Sequence, residues 1–290
     1  MPLLLLTSVI RLTAAAAMLV FVGCDDAAER SNDPRPLVVV SVAPYQYLVE
    51  SIAEGNVQIT TLLPPGASPA GFEPGMDALR AIEQASLLVR VGHPHFPFER
   101  AWLDRLVRDR PDLRIVDATQ AARSLGMEGE DPHIWLSPAA TLALARALQP
   151  EIGRLLGNPP SVATQTERLT ADIEALDAEL TGMLAPVQGQ RFLVFHPAWG
   201  HFARHFGLEQ VAVERDGKHP GPQQLAALIT EAKQVGYRSI FVVPQTDPSQ
   251  ARSVAEALGA SVVELDPLDP DWPDAMRRTA RLLAREAAAP

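Results

Sequence analysis

From Leu37 onward the chain alternates two kinds of hydrophobic pattern. "LVVVSVAP" is an unbroken β-branched run, the pattern of a strand buried on both faces of a parallel sheet. "YQYLVESIAEG" follows with helical spacing and ends at Gly55. "VQITTLLPPG" predicts a second strand closed by a Pro-Gly turn, "GMDALRAIEQA" a helix, "LLVRVG" a third strand, "FERAWLDRLVRDR" a helix and "LRIVDA" a fourth strand. Between Pro138 and Pro186 no strand pattern occurs. Two amphipathic stretches, "SPAATLALARALQPEIGRLL" and "SVATQTERLTADIEALDAELTGML", are separated by "GNPPS". The second predicts a helix of roughly 36 Å at 1.5 Å per residue, long enough to run along a whole lobe. The strand–helix alternation then restarts with "RFLVFHP", "GHFARHFG", "QVAVE", "PQQLAALITEAKQVG", "RSIFVVP", "PSQARSVAEALG", "SVVELDP" and a last helix. Strands alternating with helices specify α/β architecture. The expected fold is two parallel-sheet α/β lobes joined by a long helix, with a cleft between them.

The segment ahead of Leu37 reads differently. Leu12 to Gly23, "LTAAAAMLVFVG", is an apolar run too short for a stable membrane span, and it ends at Cys24, the single cysteine. "VFVGC" resembles a bacterial lipobox, whose cysteine is lipidated; an ordinary secretory signal or a buried thiol is the plainer alternative. Arg11 is the lone positive charge of the n-region, so the start site itself is open. Asp25 and Asp26 after the cysteine hint at inner-membrane retention. "DDAAERSNDPRP" reads as a flexible tether. The expected division is a lipoprotein-type signal peptide at 1–23, a tether at 24–36, an N-terminal lobe at 37–137, linking helices at 138–187 and a C-terminal lobe at 188–290. With Cys24 used for lipid, no disulfide remains, and any metal site must be built from His, Asp and Glu.

Composition narrows the function. At 290 residues and 47% hydrophobic the chain can bury a sizeable core. Its net charge is −10 and it holds two lysines, Lys218 and Lys233, which argues against nucleic acid as a partner.

In open parallel sheets, ligands bind beyond the carboxyl ends of the strands. The polar residues predicted there are few: His93 and His95 after "LLVRVG", His133 in "DPHIWLSP", His196 ending "RFLVFHP", Glu214, Gln245 and Asp266. Any one of them is more often a hydrogen-bonded core or surface residue than a ligand. Several in one cleft are a different matter, because neutral imidazoles with a carboxylate suit zinc, and manganese or iron less selectively. His201 and His205 have the i, i+4 spacing of metalloprotease motifs, but no Glu follows His201, and they read as partly exposed helix residues.

Taken together, "PPGASP" with "FEP", "DPHIWLSP", "FHPAWGHFARHFGLEQ", "GKHPGPQQLAALI" and "VVELDPL" closely resemble the zinc- and manganese-type solute-binding proteins of bacterial ABC importers, from about Val38 to Trp272. The resemblance implies a non-enzymatic, extracytoplasmic protein that captures a divalent cation and hands it to an ABC permease, acting as a monomer on the periplasmic face of the inner membrane if Cys24 is lipidated, or soluble in the periplasm if not. It also implies four ligands, of which three have counterparts here: His133, His196 and Asp266. The fourth, a His after "SP", aligns with Ala70. Either His93 or His95, in a "VGHPHFPFE" loop that relatives have shorter and His-free, replaces it, with His93 the better placed, or the site keeps three protein ligands and water. Glu73, Glu214 and Asp131 are candidates to orient ligand histidines, or plain turn and surface acids. His219 opens a helix and suits a capping or rim role. Trp135 and Trp199 either dry the site or fill the core. Two other classes stay open: a zinc-dependent hydrolase, since three ligands with an open position serve such enzymes, and a binding module for another solute such as a metal chelate, or an adhesin.

Overall fold

The computed structural model describes residues 33–127, 129–214, 220–245, 247 and 249–287. The predicted signal peptide, Cys24, Asp25, Asp26 and His219 lie outside the described residues, as do most of the predicted tether and Lys218.

The first sheet holds β1 (Leu37–Val40), β2 (Gln58–Thr61), β3 (Leu87–Arg90) and β4 (Arg114–Asp117) in the order β2-β1-β3-β4, every pair parallel. The second holds β5 (Arg191–Val194), β6 (Glu209–Ala212), β7 (Ser239–Val242) and β8 (Ser261–Glu264) in the order β6-β5-β7-β8, again all parallel. The sequence pattern sets this order. Central strands must be apolar on both faces, and Val38, Val39, Val40, Leu88, Val89, Leu193, Val194 and Ile240 are fully buried. The mixed strands "QITT", "RIVD", "EQVA" and "SVVE" take the edges.

In the first lobe the crossovers are α1 (Pro44–Ala53), α2 (Met76–Gln84) and α3 (Asp104–Arg108), followed by the short α4 (Ala118–Ala121). The stretch predicted as one helix from Phe98 departs from that reading. Its first turn, Glu99–Leu103, is a wide π-type turn, and α3 proper begins only at Asp104. Ser137 and Pro138 start α5 (Pro138–Leu155) as their residue types suggest: the Ser137 hydroxyl accepts from the Ala140 N–H, and Pro138 sits where no N–H is needed.

The helix α6 (Pro160–Leu184) runs 25 residues, about 37 Å. Val162, Thr166, Leu169, Ile173, Leu176, Leu180 and Leu184 form its buried stripe. It packs on α1 and α5 of the first lobe and on α10 (Trp272–Ala287) at the chain's end. The second lobe is completed by α7 (Gly200–His205), α8 (Pro222–Val235) and α9 (Ser249–Leu258). The main core is continuous across the lobes, from Val38–Val40 and Leu144 through the α6 stripe to Trp199, Phe241 and Trp272. A smaller core of Leu193, Phe195, Ile240 and Val254 covers the other face of the second sheet. Among the described residues no helix is long and apolar enough to cross a membrane.

Candidate metal centre

The strand ends of the second sheet and a connection of the first lobe deliver polar side chains to one place. His196 follows β5 by two residues, and Glu214 follows β6 by two. Asp131 and His133 stand on the connection between α4 and α5, just ahead of a tight turn at Ile134–Leu136.

Each of these histidines is held by a carboxylate. His133 Nδ1 lies 2.8 Å from Asp131 Oδ1, which also accepts the His133 main-chain N–H at 3.0 Å. His196 Nδ1 lies 2.8 Å from Glu214 Oε2. An ionised carboxylate only accepts, so both Nδ1 atoms carry the proton and both Nε2 atoms present a lone pair. Those two Nε2 atoms face each other at 3.4 Å, one from each lobe. Two bare lone pairs at that distance repel unless a proton or a cation lies between them. Zinc–nitrogen bonds of 2.0–2.1 Å meeting at a tetrahedral angle put their nitrogens about 3.3–3.4 Å apart. The spacing of the pair therefore matches that of two nitrogens on one cation, and the backing carboxylates supply the outer hydrogen bonds that metal-binding histidines require. Burial pushes the His133 imidazole below its ordinary value, with Asp131 opposing. For Asp131 burial works the other way, but its hydrogen bond to His133 and the nearby imidazoles outweigh it and hold the carboxyl below its usual range.

The lobes are also stitched beside the pair. Trp135 Nε1 donates to the Pro267 carbonyl at 2.6 Å, and the Trp135 carbonyl accepts from Trp272 Nε1 at 2.7 Å. Trp135 is fully buried and packs edge-on against His133 at 5.3 Å between ring centroids, so it both dries the site and belongs to the core. Trp199 is equally buried, its main-chain N–H bound by the Gln210 side chain. Because Pro267 follows Asp266, the Trp135 bond anchors the Asp266 segment to the His133 segment.

The remaining predicted residues are placed otherwise. Asp266 is half-buried, and its Oδ1 accepts from Gln245 Nε2 at 2.6 Å and from the Leu268 N–H at 2.9 Å. Those bonds hold the carboxylate to its own lobe, and among the described residues no three His, Cys, Asp or Glu side chains form a ready-made metal cluster. Ala70 is exposed, as is Glu73. His93 is buried beside the loops around it. Its Nδ1 accepts from the His95 N–H at 3.2 Å, so its proton is on Nε2, and the ring also hydrogen-bonds the Gly129 main chain. Burial, aided by His95, lowers the pKa of the ring. His95 is exposed, its ring centroid 5.7 Å from that of His93.

His201 corrects a second expectation. Instead of a partly exposed helix residue it is buried, and its Nε2 lies 2.9 Å from the Asp131 carbonyl. The i, i+4 spacing marked one helix face, but that face packs inward at His201, while His205 bonds Asp177 of α6 at 2.6 Å. Nothing in the local pattern separates the two, because the partner of His201 lies 70 residues away.

The family model for the periplasmic component A of zinc-uptake complexes matches residues 38–286. The chain belongs to that family. It is 28% identical over 279 residues to the high-affinity zinc uptake system protein ZnuA of Paracoccus denitrificans, covering 81% of this chain and 84% of that protein. The Yersinia pestis protein of the same name is 26% identical over 262 residues, covering 80% and 82%. A crystal structure of ZnuA superposes with a TM-score of 0.80 at 31% identity, over 88% of this chain and all of that one. The periplasmic zinc-binding protein TroA of Treponema pallidum shares the fold, with a TM-score of 0.79 at 17% identity and the same 88% coverage. Zinc-uptake family membership thus accords with two parallel sheets bridged by one long helix.

Proposed function

We propose that this chain is the extracytoplasmic solute-binding component of an ABC importer, capturing a divalent cation between its lobes and delivering it to a membrane permease. It is a binding protein, not an enzyme. Zinc is the favoured cargo, with manganese or iron as alternatives. The observation that carries the reading is the His133–His196 pair, with two Nε2 lone pairs at 3.4 Å and a carboxylate behind each ring. Asp266 is the third ligand, reached by exchanging its Gln245 bond for the ion. The fourth position, vacated by Ala70, falls to His93 or His95 on the loop after β3, or to water. Cargo enters as its ligands shed protons and water, which ties affinity to pH.

The relatives include a zinc-binding lipoprotein, AdcA, of Streptococcus pneumoniae, 23% identical over 89% of this chain and 54% of that protein. Together with the lipobox-like "VFVGC" it supports a lipid anchor at Cys24; a signal peptide at 1–23, a tether to 36 and a monomer on the periplasmic face of the inner membrane complete the proposal.

Competition titration against a chromophoric zinc chelator tests the site. One zinc per chain is expected, with His133→Ala or His196→Ala weakening binding at least about a hundredfold and Asp266→Ala by less. Wild-type affinity in both histidine variants would refute the reading. A His93, His95 double alanine variant separates a histidine from water at the fourth position.

A further inference from the structure

We propose that His201 is a positioning residue for the metal pair, locking the two ligand-bearing segments to each other across the cleft before an ion arrives. This rests on the reading of His133 and His196 as ligands.

Arg204 Nη2 lies 2.9 Å from His201 Nδ1. A guanidinium has no acceptor, so His201 Nδ1 must accept and its proton must sit on Nε2. That Nε2–H therefore donates to the Asp131 carbonyl at 2.9 Å, and it also stands 3.8 Å from Asp131 Oδ2. Asp131 in turn binds His133 through both the main-chain N–H and the ring Nδ1. The result is a directed chain of hydrogen bonds, Arg204 to His201 to Asp131, ending at a residue that fixes the tautomer and tilt of His133.

The chain crosses between lobes. Arg204 and His201 stand on α7, and Asp131 and His133 on the connection ahead of α5. His196 lies five residues before His201 on the same segment. Each segment thus carries one ligand and one clamp partner, and the His201–Asp131 contact ties the segments together beside the 3.4 Å pair of Nε2 atoms. The clamp is built to be tight. His201 is 4% exposed, and a Cβ on the neighbouring Gly200 would lie 2.5 Å from Asp131 Oδ2, so any larger residue there would displace the carboxylate from its place. A buried donor aimed at a half-buried carbonyl is costly to remove, because the carbonyl loses a partner. A site held in its bound geometry loses less freedom on binding.

The test pairs two measurements on His201→Phe, His201→Gln and Arg204→Ala: zinc affinity by chelator competition, and ¹⁵N imidazole shifts of the metal-free protein at neutral pH. In wild type, His133 is expected to show the Nδ1–H tautomer alone. His201→Phe should weaken zinc binding about 10- to 100-fold and give His133 mixed tautomers, with the denaturant midpoint scored separately. His201→Gln, which keeps an N–H donor for Asp131, should restore most of the affinity. Arg204→Ala leaves the His201 ring in place and unpins its tautomer, so it reports on the clamp even if His201→Phe misfolds. Wild-type affinity and an unchanged His133 signal in His201→Phe and Arg204→Ala would overturn the proposal, and so would a Gln variant as weak as the Phe variant. Zinc binding that survives His133→Ala and His196→Ala would instead sink the ligand assignment, and the metal-free nitrogen shifts would still decide whether His201 orients His133.

Discussion

A histidine becomes a metal ligand only when something else decides which nitrogen is bare. Here Asp131 and Glu214 make that choice for His133 and His196, each through a 2.8 Å bond to Nδ1. Glu214→Gln keeps the shape of the acceptor but removes its charge and allows the amide to turn its N–H toward the ring. Zinc affinity should fall about 10- to 100-fold with little change in fold, read by chelator competition. The sequence made His133, His196 and their acidic neighbours visible as candidates because they follow strand ends. It left the duties of His93 and His201 hidden. Both are decided by a main-chain partner far along the chain, Gly129 or Asp131, and main-chain groups carry no sequence signature. The loop with two histidines beside a missing ligand was legible as a candidate, but the burial of His93 and its backbone contacts were not.

At the scale of elements, the strand ends and the "DPHIWLSP" connection are what hold the site. The central strands and the long α6 could be placed from periodicity, because burial on two faces and a heptad-like stripe are local features. The wide turn at Glu99–Leu103 was not legible, since its cause is tertiary. The Glu99 carboxylate reaches back to accept the Val91 and Gly92 N–H groups at 2.7 Å each, beneath the end of β3. The stitch made by Trp135 was equally hidden, since an indole in a motif reads as core or as site with equal ease. Trp135→Phe keeps an aromatic ring but a smaller one, and strips the donor from the buried Pro267 carbonyl. The expected cost is about 1–3 kcal/mol of stability by urea denaturation, together with weaker zinc binding because Asp266 loses its tie to His133. An unchanged urea midpoint would show that the stitch contributes nothing.

For the whole molecule, two properties follow from shared burial. The core runs unbroken from the first sheet through α6 to the second, so large lobe rotation would tear packed side chains apart. Cargo binding should proceed by small loop movements, and small-angle scattering should show the radius of gyration nearly unchanged on adding one equivalent of zinc. A contraction of several ångströms would show hinge closure instead. Stability should also depend on pH with two opposed contributions. Burial raises the Glu99 carboxyl from 4.5 to about 6, so the unfolded chain releases that proton first. Glu99 therefore removes about 2 kcal/mol of stability as pH rises through that window. His93 and His133 are shifted down by burial, so they bind protons more weakly when folded and stability is lost as pH falls below their ordinary 6.5. Denaturation of the metal-free protein between pH 4.5 and 8, compared with Glu99→Gln, separates the two: the variant should lose the acid-side contribution and keep the histidine one.

X-ray absorption at the zinc edge, on protein loaded with one equivalent, reads the coordination directly. Wild type should show at least two imidazoles among nitrogen and oxygen donors, falling by one in His133→Ala and by one in His196→Ala. A zinc ion with no imidazole in the wild type, or with the same imidazole count in the wild type and both variants, would contradict the shared pair.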